Sequence, residues 1–463
     1  MKRPTLAMTG RVHQEAFQYL FPGDDLEAAG VLLCNQGSGK FHQRLIVCEF
    51  LSLPYELSKR TPDRVTWPFE AYFDPERISD VDRRGQSIVT IHSHPRGESH
   101  FSEIDNLNDQ ELFQSVNAWF EDNRVNGSAI MKPDGEIIAR AIDAQGEFQT
   151  FSSACVAGPS IHIWKNDARI PLTQYESKLS QTFGKATLDR LRSMRVGVIG
   201  CSGTGSILIE LLARNCLGEL VIVDDDFIEE KNLNRIVNSS MLAARKRLPK
   251  VVAISEAIKG FGLGTKVEPL QALTDSSDVI AALVDCDVIF GCVDSAFGRY
   301  HLECFASAYL TPYFDVGVHL EANGEGNISS ADAVAHYVHP EGSDLLSRGA
   351  YRMEQVTAEN WRRTDPNYYK QQRIAGYLEA VGEEQPAVMS LNMQAACMAF
   401  NDFIARLHSF RLDENSEFAT QRFRVAHGCY EHEADDGTPH KLFDRYKGSG
   451  DASLLVRNNI RHD

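Results

Sequence analysis

Residues 195–224 constrain the fold of this chain more tightly than any other stretch. Arg195-Val-Gly-Val-Ile199 is a short apolar run of strand character, Gly200-Cys-Ser-Gly-Thr-Gly205 is a glycine-rich turn, and Ile207-Leu-Ile-Glu-Leu-Leu-Ala213 continues as a helix. Leu220-Val-Ile-Val223 is a second buried strand, closed by Asp224. Strand, turn, helix and strand within about 30 residues make a βαβ unit, whose strands lie parallel in one sheet. Glycines in such a turn let a phosphate approach the backbone, and the helix N-terminus favours an anion there. The spacing is G-x-x-G-x-G, with Ser202 where a dinucleotide-binding fingerprint has glycine. That spacing weakens the nicotinamide reading, in which Asp224 would hold a ribose hydroxyl.

The residues that follow favour a nucleotide triphosphate. Asn232-Leu-Asn-Arg235, Leu248-Pro-Lys250 and Gly291-Cys-Val-Asp-Ser295 come next, with Arg299 beyond. An adenylating site needs cations for the triphosphate, which Arg235 and Lys250 can supply, and a carboxylate for Mg²⁺, which Asp294 can supply.

A second constellation lies upstream, at His92-Ser-His-Pro95 followed by Ser102 and Asp105. Two histidines one residue apart can reach one metal ion, and Asp105 can be a third ligand. Three such ligands leave the fourth position of a tetrahedral Zn²⁺ open, as a hydrolytic site requires.

At 463 residues the chain is long enough for two or three domains. Its formal net charge of −17 argues against nucleic-acid binding. It has no apolar run of about 18 residues, and no apolar run follows Lys2 and Arg3, so neither a membrane span nor a secretory leader is expected. Ten cysteines without disulfide-like spacing suit a reducing cytoplasm, and Cys34, Cys48, Cys216, Cys286 and Cys292 read as core residues. Apolar runs at 30–34, 44–51 and 87–91 predict strands, and 128–142 predicts a hairpin closed by Pro133-Asp-Gly135. Residues 105–122 predict a helix with Leu107, Leu112, Phe113, Val116 and Trp119 on its apolar side.

The string H-x-H-P, then Ser102 and Asp105, resembles the metalloprotease motif of the JAB1/MPN/Mov34 (JAMM) family, and Leu26-Glu27-Ala-Ala-Gly-Val-Leu-Leu33 resembles its upstream strand. The resemblance implies His92, His94 and Asp105 as zinc ligands, Glu27 as general base and Ser102 as a support for the oxyanion. From about 172 to 410 the chain resembles the ThiF/MoeB/HesA family of ubiquitin-activating-type adenylating enzymes. This second resemblance implies ATP and Mg²⁺ as cofactors. Gly200, Gly203 and Gly205 would form the nucleotide loop, Asp224 would hold the ribose, Asn232, Arg235 and Lys250 the phosphates, and Asp294 Mg²⁺. The family's lead-in arginine is replaced by Lys178, which keeps the charge but loses the planar fork. Its two C-x-x-C zinc pairs correspond to Asp344-Leu-Leu-Ser347 and Cys429-Tyr-Glu-His432, so no second zinc is expected.

Residues 320–396 contain no cysteine, and Cys304 and Cys397 read as packing residues. Cys429, flanked in sequence by His427 and His432, is the candidate nucleophile should an acyl-enzyme form; the other reading is a remnant of the zinc site. The predicted organisation is α/β: a JAMM-type domain over 1–150, a connector over 151–174, and a Rossmann-like adenylation domain over 175–410. The last has a crossover segment at about 340–385, where Tyr351, Tyr368, Tyr369 and Tyr377 are candidates to meet a peptide tail. A charged extension with a mobile end follows over 411–463. Together the resemblances imply a homodimer that adenylates the C-terminus of a small ubiquitin-like protein and cleaves the bond after it. A conjugating-enzyme-like protein is the implied partner, in a prokaryotic pathway of the kind associated with phage defence. Sulfur-carrier activation, and a binding scaffold with one inactive site, are the alternatives.

Overall fold

The computed structural model describes residues 2–69, 73–166, 173–322, 328–374, 388–408 and 410–456. The chain divides into two compact units, one of Met1–Ala168 with Ala308–Leu310 and Tyr446–Ala452, the other of the remainder. Among the described residues no helix is long and apolar enough to cross a membrane.

The first unit runs β1 (Arg3–Thr9), α1 (Gly10–Leu20), β2 (Ala29–Ser38), β3 (His42–Ser52), β4 (Lys59–Thr61), β5 (Arg64–Thr66), α2 (Pro75–Arg83), β6 (Ser87–Ser93), α3 (Glu103–Ala118), β7 (Gly127–Met131), β8 (Ile137–Ile142), β9 (Phe148–Thr150), β10 (Ser153–Ala157) and β11 (Ile161–Lys165). Nine of these strands form one mixed sheet in the order β11-β10-β1-β3-β2-β6-β7-β8-β9. β2 shows why the sheet is covered twice. It is apolar on both faces, and alternate residues diverge: Leu32 and Cys34 join a core that includes Val12, Ala16 and Leu20 of α1. Val31 and Leu33 join the other core, with Val81 of α2 and Phe113 and Val116 of α3. Leu107, expected on the buried side of α3, is 68% exposed, because at 3.6 residues per turn it lies about half a turn round from the buried stripe of Asp109, Phe113 and Val116.

The second unit runs α4 (Gln174–Phe183), α5 (Lys185–Ser193), β12 (Arg195–Ile199), α6 (Gly203–Arg214), β13 (Glu219–Val223), α7 (Met241–Arg245), α8 (Lys250–Phe261), β14 (Lys266–Leu270), α9 (Ser277–Val284), β15 (Val288–Gly291), α10 (Ala296–Tyr309), β16 (Tyr313–Ala322), β17 (Ile328–Val338), α11 (Met353–Thr364), α12 (Pro366–Ile374), α13 (Met389–Leu407), β18 (Thr420–Arg424) and β19 (Cys429–Glu433). Its sheet order is β14-β13-β12-β15-β16-β17-β18-β19, parallel from β14 to β16 and antiparallel from there on. The chain builds outward from β12 to β14, then returns to β15 on β12's other side. That reversal opens a crevice at the carboxyl ends of β12 and β15, where ligands bind in open α/β sheets.

Three expectations need correction. Residues 153–165 are two strands and not a connector: Ser153–Ala157 is buried throughout and pairs with β1, and Ile161 and Ile163 alternate inward on β11. The charged stretch from 411 supplies β18 and β19, whose polar residues sit on an edge hairpin; the expected mobile end falls mostly on 457–463, outside the described residues. Among the crossover tyrosines, Tyr351 and Tyr369 are buried and unable to meet a peptide, Tyr368 is 38% exposed, and Tyr377 lies outside the described residues. Two cysteine readings also change, since Cys48 and Cys397 are exposed.

Candidate active sites

In the first unit the site follows from strand register. β2 and β6 are antiparallel with Ala29 opposite His92. Continued outward, that pairing sets Ala28 opposite Ser93 and Glu27 opposite His94. Two bonds seal it: Ser93 N–H donates to the Ala28 carbonyl, and Ala28 N–H to Ser93 Oγ, both at 2.9 Å. Side chains two apart share a face, so Glu27, His92 and His94 all lie on the face covered by α3.

The third carboxylate arrives through a helix cap. Ser102 Oγ accepts the Asp105 amide at 3.1 Å, while Asp105 Oδ2 accepts the Ser102 amide at 2.7 Å, a reciprocal capping box that starts α3. Asp105 Oδ1 lies 3.6 Å from His92 Nε2, Oδ2 lies 3.8 Å from His94 Nε2, and the two Nε2 atoms are 3.1 Å apart. Ligand atoms about 2.1 Å from a tetrahedral zinc stand about 3.4 Å from one another, so the donor set fits such an ion. His94 Nδ1 donates to the Glu98 carbonyl at 3.1 Å, which fixes the tautomer whose Nε2 lone pair faces Asp105. Among the described residues this is the one cluster of His, Cys, Asp and Glu side chains that could hold a metal ion.

Electrostatics separate the roles. Burial pushes Glu27 up to about 7, against the opposing pull of His94. Burial also lowers His92 to about 4, so it is a neutral donor near pH 7. Asp105 is buried too, but the neighbouring imidazoles of His94 and His92 and the bond from the Ser102 amide hold it well below the usual carboxylate range. A carboxylate poised near neutrality beside one that stays ionised is an acid–base division of labour. Ser102 Oγ accepts one bond in the cap and retains its own proton to donate.

Sequence reasoning missed the clamp behind Glu27. Arg60 Nε donates to the Glu27 carbonyl at 2.8 Å, its two other nitrogens hold Asp24 at 2.8 and 3.0 Å, and the Glu27 amide donates to Thr61 at 2.9 Å. The guanidinium also lies over the Tyr55 ring, 4.1 Å from its centroid. An arginine on a short polar hairpin carries no sequence mark that separates it from a solvated one.

In the second unit the glycine loop closes against its neighbours. Gly200 has φ +94°, and a Cβ there would stand 2.4 Å from the Cys292 carbonyl oxygen; one on Gly205 would stand 1.8 Å from the Gly200 carbonyl oxygen. Asp224, at the end of β13, accepts the Cys201 amide on Oδ2 at 2.7 Å and the Asp226 amide on Oδ1 at 2.9 Å. Lys250, buried at the start of α8, reaches Asp224 at 3.3 Å and Asp226 at 2.8 Å. Burial works against its charge, but the two carboxylates prevail and raise its pKa. Arg235 brings its Cδ within 3.5 Å of the point a Gly203 Cβ would occupy, and its guanidinium bonds Lys231 O and Asn234 Oδ1. Asn232 is buried and caps its own turn through the Glu229 amide. Asp294 is exposed just past β15, and Lys178 is exposed on α4. Gly200, Gly203, Gly205, Asp224, Arg235 and Lys250 thus come together at the crevice.

Cys429, left open between a nucleophile and a remnant of a zinc site, sits beside a carboxylate. It is paired across the β18–β19 hairpin with Arg424, and its thiol faces Glu431 Oε1 at 3.5 Å. Desolvation and that carboxylate raise its pKa, while His432 Nδ1 is engaged by the Glu417 carbonyl at 2.9 Å. The other segment matched to a zinc pair is closed by its own bonds, the Ser347 amide donating to Asp344 at 2.7 Å.

Comparison with known proteins agrees with both halves. The ThiF family model matches residues 175–422, and the model of prokaryotic homologs of the JAB domain matches residues 11–134. The SAMP-activating enzyme E1 of Haloferax volcanii is 36% identical over 115 residues, covering 25% of this chain and 42% of that protein. The molybdopterin-synthase adenylyltransferase of Escherichia coli is 27% identical over 121 residues, covering 26% of this chain and 48% of its own. The chain thus spans under half the length of these relatives. A crystal structure of E. coli MccB with MccA-N7isoASN aligns at a TM-score of 0.44 and 15% identity, over 57% of this chain and 74% of that one.

Proposed function

The chain belongs to the ThiF family and carries a JAB-homologous domain ahead of it, and from that premise we propose that it activates and processes one kind of substrate, a small ubiquitin-like or sulfur-carrier protein. The second unit would adenylate that protein's C-terminal carboxylate with ATP and Mg²⁺. The first would hydrolyse the amide or isopeptide bond formed after the same C-terminus. The observation that carries the proposal is the pairing, in one chain, of a three-ligand cluster beside a near-neutral glutamate with a glycine loop at a sheet's switch point. One relative named as an activating enzyme and another named as an adenylyltransferase support the first half.

In the first unit His92, His94 and Asp105 would hold zinc, which when bound polarises a carbonyl and acidifies water. Glu27 takes the proton from the attacking water and passes it to the leaving amine, a task its near-neutral pKa suits. Ser102 donates its free hydroxyl proton to the developing oxyanion. In the second unit the first-turn amides of α6, with Arg235 and Lys250, neutralise the triphosphate; Asn232 orients it, Asp224 fixes the ribose, and Asp294 would hold Mg²⁺. Exposed Lys178 would reach a partner subunit's nucleotide in a homodimer. Cys429 lacks the electropositive surroundings of an activated thiol, so the acyl-adenylate passes to a partner's nucleophile, as on a conjugating-enzyme-like protein in an antiviral pathway.

ATP–pyrophosphate exchange in the presence of candidate ubiquitin-like proteins tests activation, and absence of exchange with all of them would sink it. Release of a tag fused after the same C-terminus tests cleavage, which Glu27→Gln is expected to abolish. Adenylate converted to a thiocarboxylate, not to a conjugate, would mark the sulfur-carrier branch.

A further inference from the structure

Helix α13 returns from late in the sequence to lie beside α6. Its fourth residue, Asn392, is 2% exposed. The side-chain oxygen accepts the Thr204 hydroxyl at 3.2 Å, but Nδ2 has no hydrogen-bond partner among the described residues. A buried amide donor left unsatisfied is destabilising, and such groups call for a specific partner. Nδ2 faces the first turn of α6: it lies 2.2 Å from the point a Cβ on Gly203 would occupy, and Arg235 Cδ lies 3.5 Å from the same point. The same turn has unsatisfied donors of its own. Ser202 makes no side-chain cap bond, and the first amides of a helix have no intrahelical acceptor. Backbone amides, an arginine and a buried carboxamide therefore converge on one spot, with no carboxylate among the described residues bonded to it.

We propose that Asn392 is a nucleotide-binding residue that donates Nδ2 to a phosphate oxygen of ATP seated on the first turn of α6. Thr204 is its positioning partner, holding the carboxamide with nitrogen toward the phosphate. The inference rests on the ATP-using reading of this site. It makes the late helix part of the nucleotide site and gives Gly203 a second reason to lack a side chain.

Direct titration of Mg·ATP into the full chain, by calorimetry without any protein substrate, tests it with Asn392→Asp and Asn392→Ser. Packing and donation predict opposite orders. If Asn392 merely filled space, the isosteric aspartate would bind ATP nearly as wild type and the smaller serine would be worse. As a donor to phosphate, Asn392→Asp is expected to lose at least tenfold in affinity and to be worse than Asn392→Ser. Aspartate binding within twofold of wild type, or better than serine, overturns the proposal. Should the aspartate variant fail to fold, Asn392→Ser decides: a tenfold loss with an unchanged melting temperature supports donation, and wild-type affinity overturns it. Wild-type protein that binds no Mg·ATP would overturn the underlying reading instead, which keeps the two failures distinct.

Discussion

Gly205→Ala is the sharpest perturbation available in the second unit. The new Cβ would stand 1.8 Å from the Gly200 carbonyl oxygen, 2.8 Å from its carbon and 3.2 Å from Cys292 Cβ. Carbon and oxygen atoms in ordinary contact are about 3.3 Å apart, so about 1.5 Å of movement is needed. Gly200 cannot supply it, because its amide is fixed to the Val223 carbonyl at 2.8 Å and the next amide to Asp224 at 2.7 Å. The start of α6 must move instead, carrying its free amides away from the phosphate. Overpacking of this kind costs about 1–3 kcal/mol of stability. Losing two amide bonds to a charged phosphate costs about 3 kcal/mol or more of binding, over a hundredfold in affinity. Mg·ATP calorimetry with a melting curve on the same samples measures both quantities. Gly260→Ala is the control, since that helical glycine on α8 is exposed and a Cβ there meets nothing within 4 Å. It is expected to stabilise by about 0.5–1 kcal/mol with ATP affinity unchanged. Gly205→Ala that melts as wild type and binds Mg·ATP within threefold would refute the loop geometry.

The remaining predictions concern the other side chains. In metal-free protein, burial lifts Glu27 from 4.5 to about 7, so the native state retains a proton that the unfolded chain releases. Its contribution to stability is therefore full below pH 4.5 and lost as pH rises to about 7; from pH 5.5 to 8 the loss is about 2 kcal/mol. Urea unfolding of the first unit after chelation should show that slope in wild type, and its persistence in Glu27→Gln would count against the assignment. Arg60→Ala should lower the cleavage rate about tenfold with metal content unchanged, because the clamp holds Glu27 and touches no ligand; a loss of metal in proportion to activity would contradict that role. Cys429→Ser should leave pyrophosphate exchange and product transfer within twofold of wild type, given the raised thiol pKa. A dithiothreitol-sensitive adduct present in wild type and absent in the serine variant would restore the cysteine as nucleophile.

Legibility in the sequence followed the range of the interactions involved. The βαβ unit around Gly200 was readable because strand, turn and helix are adjacent in the chain, and two of its glycines lie where only hydrogen fits. The metal ligands were readable because His92 and His94 share a strand end and Asp105 is presented by a local cap. Residues 153–165 were misread because burial in β10 is conferred by β1, nearly 150 residues earlier, and not by any local period. The surroundings of Cys429 were not legible because β-hairpin pairing sets it opposite Arg424 and beside Glu431, while His432 Nδ1 is taken by the Glu417 carbonyl.

By itself, then, the sequence determined the parallel βαβ framework, the glycine loop and the set of metal-ligating side chains, all of which depend on residues within a few turns of one another. Only the tertiary structure decided the chemistry those residues can perform. Pairing of β2 with β6 brings Glu27 to His94, and the depth of that face sets its pKa near neutrality. Packing of α13 on α6 brings Asn392 to Gly203 across almost 190 positions of chain. Register and burial are properties of the assembled sheet and its covering helices, and a protonation state or an unsatisfied donor exists only once that assembly has excluded water.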